Sequence, residues 1–590
     1  MKTFKRLLSL LSPTEIKNLY ILISILIFTA LADIIGIASI LPFMAVLTNP
    51  DLIETNLTLN KIFEFSKIFG VENNQEFFFV LGIIIFLILI FTLSFKAIAT
   101  YFQIRFVQLR EHSIGKFLVQ SYLRQPYSWF LDKHSADLGK TILSEAQQLT
   151  LNGVRSMIEF IAKGISAAAI IILLIVVDPK IAIIVGVSIG GAYFVIFFFV
   201  RKILSKVGKK RLKNNEIRFL TLAEAFGSLK EIKVGGLENI YINRFSDSSK
   251  NYALSQTYSL AIGQLPRFFL EAIAFGGILL LLIYMISKSG NLSSALPMIS
   301  LYVVAGYRLM PSLQLIYYSI SNLAFINPAI DKMYEDIKNL DKNRIEQDTE
   351  ILQFNNYIDL KNISYSYPNS DELTLKNINI HIPIKSKVGI VGMTGSGKTT
   401  VVDILIGLLE AQNGTIEIDG QILSNKNLRA WQRYIGYVPQ RIYLSDTTIA
   451  ANIAIGEEYN KINYKTVEKV SKIANLHEFV KNELPQQYQT VIGENGARLS
   501  GGQRQRIGIA RALYFNPKVL IFDEATSALD NNTEDAVLHS INNLGENITT
   551  IFITHRLSTL KKCDIIYKIE KGQLIAKGSF DEFNNDIEQN

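Results

Sequence analysis

One cysteine, Cys563, among 590 residues leaves no intramolecular disulfide and no thiolate metal cluster. A solitary thiol of this kind reads as a buried, inert side chain. The pattern of a signal peptide is not met either. Lys2, Lys5 and Arg6 precede an apolar run too long for a signal-peptide core, and no small-residue cleavage site follows, so the first run is expected to be retained. Positive charge is scarce in three connections between apolar runs, which together hold only Lys61, Lys67, Lys180 and Lys288. That uneven placement excludes reading the formal charge of +8 as a nucleic-acid surface, because the basic residues gather in the other loops.

What the chain has in abundance is apolar length, crowded into its first 325 residues. Six runs near 19–47, 76–104, 156–177, 181–201, 266–287 and 295–325 are each long enough for a hydrocarbon core of about 30 Å. The loop after the second run carries Arg105, Arg110, Lys116, Arg124, Lys133 and Lys140, and 201–267 holds thirteen basic residues, Lys209, Lys210 and Arg211 among them. This bias places both long loops and both termini in the cytoplasm. Upstream, Phe4, Leu7, Leu8 and Leu11 stand near helical spacing among basic residues and predict an amphipathic helix over 3–17 on the membrane surface. The layout is an elbow helix (1–18), an all-α membrane domain of six spans (19–325), a charged linker (326–353) and an α/β domain (354–590).

In that last domain Gly392, Met393, Thr394, Gly395, Ser396, Gly397, Lys398 and Thr399 lie between an apolar strand and an apolar helix, the setting of a phosphate-binding loop. The glycines let backbone N–H groups close around phosphate oxygens at a helix N-terminus. Lys398 brings a point charge to the β- and γ-phosphates, and the Thr399 hydroxyl is a ligand for Mg²⁺. A hundred residues on, Leu499, Ser500, Gly501, Gly502 and Gln503 open another helix, a second anion site by the same logic. The apolar strand 519–522 then ends in Asp523, placed to hold Mg²⁺, and Glu524, placed to polarise an attacking water.

This order of motifs resembles the nucleotide-binding domain of an ABC ATPase, and the fused membrane domain makes the whole chain similar to an ABC exporter half-transporter. The expected fold is therefore a six-helix exporter membrane domain plus an α/β P-loop ATPase domain. The resemblance assigns adenine stacking to Tyr367 and extends the phosphate loop to Thr400. It makes Gln440, after Tyr437-Val438-Pro439, the residue that senses Mg²⁺ and the membrane domain, and His555 the switch histidine at the γ-phosphate. It also implies that Ser500–Gln503, with Asp530 closing the stretch, meet ATP held by a second copy, so a homodimer carries two complete sites. Coupling turns toward the ATPase are implied near 130–139 and 234–245, and Glu494 resembles a loop specific to exporters.

Shorter matches concern the cargo. Residues 266–271 and 307–312 resemble segments of bacterial lipid-linked oligosaccharide flippases (PglK type), and the long outer loop 48–75, amphipathic from Leu57 to Phe69, resembles their external helix. That pattern carries a further arginine where this chain has Leu315. Ionisable groups in a span cost roughly 2.5–3.5 kcal/mol each on insertion scales, so they face protein or water. Lys96, Arg267 and Arg308 either hold an anionic head group in a cytoplasm-facing cavity, a task suited to Arg, or snorkel or pair internally. The expected activity is ATP hydrolysis, with ATP and Mg²⁺ as cofactors, driving an anionic glycolipid from inner to outer leaflet of a bacterial inner membrane. A lipid-linked oligosaccharide is the first cargo, a lipid A precursor or a drug the alternative, and an ATP-gated channel or regulator the remaining class.

Overall fold

The computed structural model describes residues 2–48, 50, 52–68, 71, 73–177, 179–269, 271–272, 275–277, 279, 283, 292–340, 352–368, 370, 372–525, 531–542, 548–554 and 556–587. They form two units, one of 1–123 and 133–340, the other of 124–132 and 341–590.

In the first unit the helix expected over 3–17 is split. Helix α1 (Lys2–Ser9) stops, and Ser12 opens α2 (Pro13–Ala38) with a capping box: Ser12 Oγ accepts the Glu15 N–H, and Glu15 Oε2 accepts the Ser12 N–H. Pro13 suits the first helical position because its missing N–H has no partner there. A second break falls at Ser39, before α3 (Ile40–Thr48), where Pro42 cannot donate to the carbonyl four residues back. The external segment 52–67 forms α4 (Leu52–Thr55) and α5 (Leu57–Lys67). Leu59 and Phe63 pack with Val46, Ile53, Val71, Phe77 and Leu81, while Phe65 and Ile68 stay exposed.

Helix α6 (Asn74–Leu123) has 50 residues and is about 75 Å long, more than twice the hydrocarbon thickness. After α7 (Tyr127–Leu131) and α8 (Ser135–Gly139) the chain returns through a π-helical turn (Lys140–Glu145), the short α9 (Ala146–Gln148) and a second π-helical turn (Leu149–Val154) into α10 (Arg155–Val177). Helix α11 (Pro179–Gly227) contains the fourth expected span and runs on to α12 (Leu229–Gly235). Gly236, at φ 61°, reverses the chain and lets the Leu237 N–H reach the Ile232 carbonyl at 3.0 Å before α13 (Glu238–Gln264). The turn therefore centres on Gly236, at the front edge of the expected 234–245. Half of the fifth expected span, 266–287, lies outside the described residues. Helix α14 (Leu292–Lys338) carries the sixth span and continues to Lys338, into the first part of the expected linker 326–353. Among the described residues four helical stretches are long and apolar enough to cross a membrane: Pro13–Leu47, Asn74–Leu123, Ser135–Val177 and Val303–Lys338.

Polar contacts fix these helices where the apolar pattern fades. Leu7 of α1 is buried, Arg6 pairs with Asp331, and Thr3 Oγ1 donates to Asn327 Oδ1 at 2.7 Å, so the elbow faces α14 rather than only a membrane surface. Arg211, 1% exposed, donates Nη2 to Glu145 Oε2 at 2.7 Å and Nη1 to Oε1 at 3.2 Å, and Asn215 Nδ2 adds a bond of 2.7 Å to the same carboxylate. This bidentate pair ties the first π-helical turn to α11.

The second unit holds two sheets. Antiparallel strands β1 (Tyr357–Tyr365), β2 (Leu375–Pro383), β4 (Asn413–Ile418) and β5 (Gln421–Ile422) pair in the order β2-β1-β4-β5. The larger sheet, from β3 (Lys387–Val391), β6 (Ile435–Val438), β7 (Val519–Asp523), β8 (Thr549–Ile553), β9 (Ile565–Glu570) and β10 (Gln573–Gly578), runs β10-β9-β3-β8-β7-β6. It is parallel except for β10. β7 and β8 are buried at every position, the pattern of central strands covered on both faces. Cys563 lies in this core, where burial pushes its thiol up to about 12.

Candidate functional site

Open parallel sheets place their chemistry beyond the carboxyl ends of the strands. Here β3 runs into the phosphate loop, β7 into Asp523 and Glu524, and β6 into Pro439 and Gln440. The loop closes on Gly397, at φ 103°, which caps α15 (Lys398–Leu405); a side chain there would also meet Leu375 Cδ2 at 2.7 Å. At Gly392 a Cβ would sit 2.2 Å from the Ile569 carbonyl oxygen, so only glycine lets the loop leave β3 past β9. Lys398 Nζ donates to the Gly392 and Met393 carbonyls, each at 2.9 Å. Ser396 Oγ is buried and, among the described residues, has no hydrogen-bond partner.

Opposite the loop, Gln440 Nε2 donates to Glu524 Oε2 at 2.7 Å, joining two residues 84 apart in sequence. Glu524 adopts φ 49° and is held there by its N–H on the Ile553 carbonyl at 2.9 Å. Tyr437 on β6 donates its hydroxyl to Asp523 Oδ2 at 3.2 Å. Burial raises the Asp523 carboxyl above the usual carboxylate range, and the Tyr437 bond works against that rise. Burial, then the Asp523 charge, also pushes the Tyr437 phenol up. The Thr399 hydroxyl, the Asp523 carboxylate and the Gln440 amide oxygen are the hard oxygen donors that Mg²⁺ requires. The Tyr367 and Thr400 hydroxyls lie 3.0 Å apart, and the Tyr367 ring meets Tyr365 edge-on at 5.2 Å.

Ser500 opens α16 (Gly501–Tyr514) with a second capping box: its Oγ accepts the Gln503 N–H at 3.2 Å and its N–H donates to Gln503 Oε1 at 2.8 Å. Both side chains thus serve the helix end, and the N–H groups of Gly501 and Gly502 stand at its positive terminus. His555 and Asp530 lie outside the described residues.

Two groups escaped the sequence reading. Tyr127, on α7, belongs to the second unit; burial and the Asp403 charge push its phenol up, and Tyr367 adds to the effect. The segment grouped with the ATPase is thus 124–132, starting ahead of the expected 130–139. Asp403, on α15, is raised to about 6 by burial and by Asp523. It sits in an apolar helical run, where nothing in the pattern marks it.

Within the first unit the three expected cargo cations each have a carboxylate neighbour. Arg308 Nη1 lies 2.6 Å from Asp33 Oδ1, and Lys96 Nζ lies 3.1 Å from Asp33 Oδ2. Arg267 pairs with Glu271 one turn along its own segment, at 2.5 Å. Arg308 and Lys96 are brought together; Arg267 makes a separate pair.

Residues 375–527 match the ABC transporter family and 19–305 the ABC transporter transmembrane region. An ATP-dependent lipid A-core flippase of Cupriavidus pinatubonensis is 30% identical over 484 residues, covering 78% of each chain. Its counterpart in Saccharophagus degradans is 29% identical over 460 residues, covering 77% of this chain and 76% of the relative. The solved structure of a bacterial Atm1-family ABC exporter with ATP bound superposes with a TM-score of 0.75 at 22% identity, over 94% of this chain and 96% of that one.

Proposed function

This chain belongs to the ABC transporter family, as an exporter half-transporter whose ATP hydrolysis drives transport, and from that premise we propose that it flips an anionic, acylated glycolipid of the lipid A-core class. The observation that carries the cargo is that relatives named lipid A-core flippases match over about three quarters of their length, membrane region included. The names favour the lipid A alternative over a lipid-linked oligosaccharide, whose support is the two short segments 266–271 and 307–312. The intramembrane cations Arg308 and Lys96 agree with either anionic head group.

The residues fit bound ATP and Mg²⁺: the Ser396 hydroxyl is orphaned among the described residues, the glycines leave a cradle that a Cβ would fill, and Thr399, Asp523 and Gln440 carry oxygen donors. Bound together, they supply the phosphoanhydride bond whose hydrolysis drives the cycle. Lys398 and the backbone of 392–397 grip phosphates; Thr399, Asp523 and Gln440 would hold the metal. Glu524 takes a proton from the attacking water, with the Gln440 amide fixing its carboxylate. Tyr367 stacks on adenine and His555 contacts the γ-phosphate. Ser500–Gln503 and Asp530 complete the site on a second copy in a homodimer. The protein works in a bacterial inner membrane with its ATPase domain in the cytoplasm.

In proteoliposomes, hydrolysis should rise on adding lipid A-core glycolipid and stay flat with a neutral amphiphilic drug. Equal stimulation by both would sink the cargo assignment. A stronger response to a polyprenyl-pyrophosphate oligosaccharide would return the cargo to the other glycolipid class.

A further inference from the structure

The charge cluster around Asp33 contains one cation more than the cargo reading uses. Asp33 on α2 engages Arg308 of α14 with one carboxylate oxygen and Lys96 of α6 with the other. Lys163, half-buried on α10, lies within electrostatic reach of Lys96, Asp33 and Glu159. Glu159 is taken by Arg155 at 2.8 Å, and Lys163 has no carboxylate at ion-pair distance among the described residues. Arg308 and Lys96 therefore share the one Asp33 carboxylate, and Lys163 adds a third positive charge nearby, leaving positive charge in excess inside a membrane-spanning region. Such an excess is disfavoured unless an anion or water joins it.

We infer that Asp33 is an internal competitor for the cargo's phosphate: it occupies Arg308 and Lys96 until a phosphate-bearing head group, met by Lys163, displaces it. This rests on the glycolipid reading above. A carboxylate offers the two-oxygen edge that a phosphate also offers, so donors aimed at Asp33 are already aimed for phosphate. The Asp33 side chain is 7% exposed and Arg308 17%, whereas Lys96 is 38% exposed, so the cluster opens on the Lys96 side. A doubly charged phosphate can replace the single charge of Asp33, while an uncharged head group has nothing to exchange for it. Asp33 thereby sets a charge threshold for the cargo, and Lys163 supplies the pull that overcomes it.

The test uses the full-length protein in neutral-lipid nanodiscs and an acylated glucosamine disaccharide carrying two phosphates, one or none. Wild type should bind the bisphosphorylated form most tightly. Asp33→Asn should tighten binding of both phosphorylated forms by about tenfold, as removal of a competing charge pair implies, and blunt the preference for two phosphates over one. Lys163→Gln should weaken the bisphosphorylated form at least threefold, on the order expected for one lost charge-assisted contact. Neither change should move the phosphate-free form. Asp33→Asn that leaves affinity unchanged, or lowers it, overturns the competitor role. If Asp33→Asn does not yield folded protein, Lys163→Gln and Asp33→Glu decide: unchanged selectivity in both overturns the inference. A wild type that binds all three lipids alike removes the glycolipid reading itself, whereas a selective wild type with silent variants removes only this inference.

Discussion

Glu524 occupies a left-handed backbone conformation that costs on the order of 1 kcal/mol for a residue with a Cβ. Its N–H on Ile553 and its carboxylate on Gln440 hold it there. If it is the general base, Glu524→Gln keeps the shape and removes the basicity: hydrolysis should fall at least about 100-fold while fluorescent-nucleotide binding persists. Retained hydrolysis would move the base elsewhere. Asp403 gives a pH test. Its folded value, about 6, stands above the ordinary carboxylate value of 3.8, so its ionised form is disfavoured in the fold. That destabilisation is complete above the folded value and disappears as pH falls below the unfolded one. Melting followed without nucleotide or Mg²⁺ should show Asp403→Asn more stable than wild type at pH 7.5, with the gap closing toward pH 4. A constant gap would mean that Asp403 does not titrate. The phosphate loop and Asp523-Glu524 were legible because each is contiguous and flanked by apolar strand or helix. The Tyr437–Asp523 bond was not, because it joins residues 86 apart and depends on β6 pairing with β7.

Among elements, the buried Arg211–Glu145 pair is the clearest structural commitment outside the ATPase unit. Arg211→Ala strands a buried carboxylate, and losses of this kind are about 3–5 kcal/mol. The detergent-solubilised protein should melt markedly earlier, and replacing both partners with apolar residues of similar volume should recover most of the loss. No change in melting for Arg211→Ala would show that water replaces the guanidinium. Span positions were legible from apolar length, whereas helix ends were not. The 3–17 helix was drawn through Ser12, although Ser12-Pro13-Thr14-Glu15 carries its own start signal. Apolar spacing on either side outweighed it. Asp33 was passed over because one carboxylate hardly alters an apolar run, yet it decides where Arg308 and Lys96 point.

For the whole molecule, the homodimer reading predicts complementation between two crippled copies. Lys398→Ala breaks the phosphate loop and Gly502→Asp breaks the start of α16; each alone should abolish hydrolysis. Co-assembled, they leave one site with an intact loop from one copy and an intact helix start from the other, so hydrolysis should return. No recovery in verified mixed dimers would mean that each chain builds its site alone. The two-domain plan was legible because hydropathy and motif content change sharply near residue 354, while the cargo leaves only scattered charges.

The decisive measurement is leaflet-to-leaflet movement of a fluorescent lipid A-core glycolipid in proteoliposomes supplied with ATP and Mg²⁺. Wild type should move it directionally at a rate that depends on ATP, Glu524→Gln should not, and a neutral drug should stay in place. Movement that persists with Glu524→Gln and bound ATP would make the protein an ATP-gated path, and the account of a hydrolysis-driven flippase would be wrong.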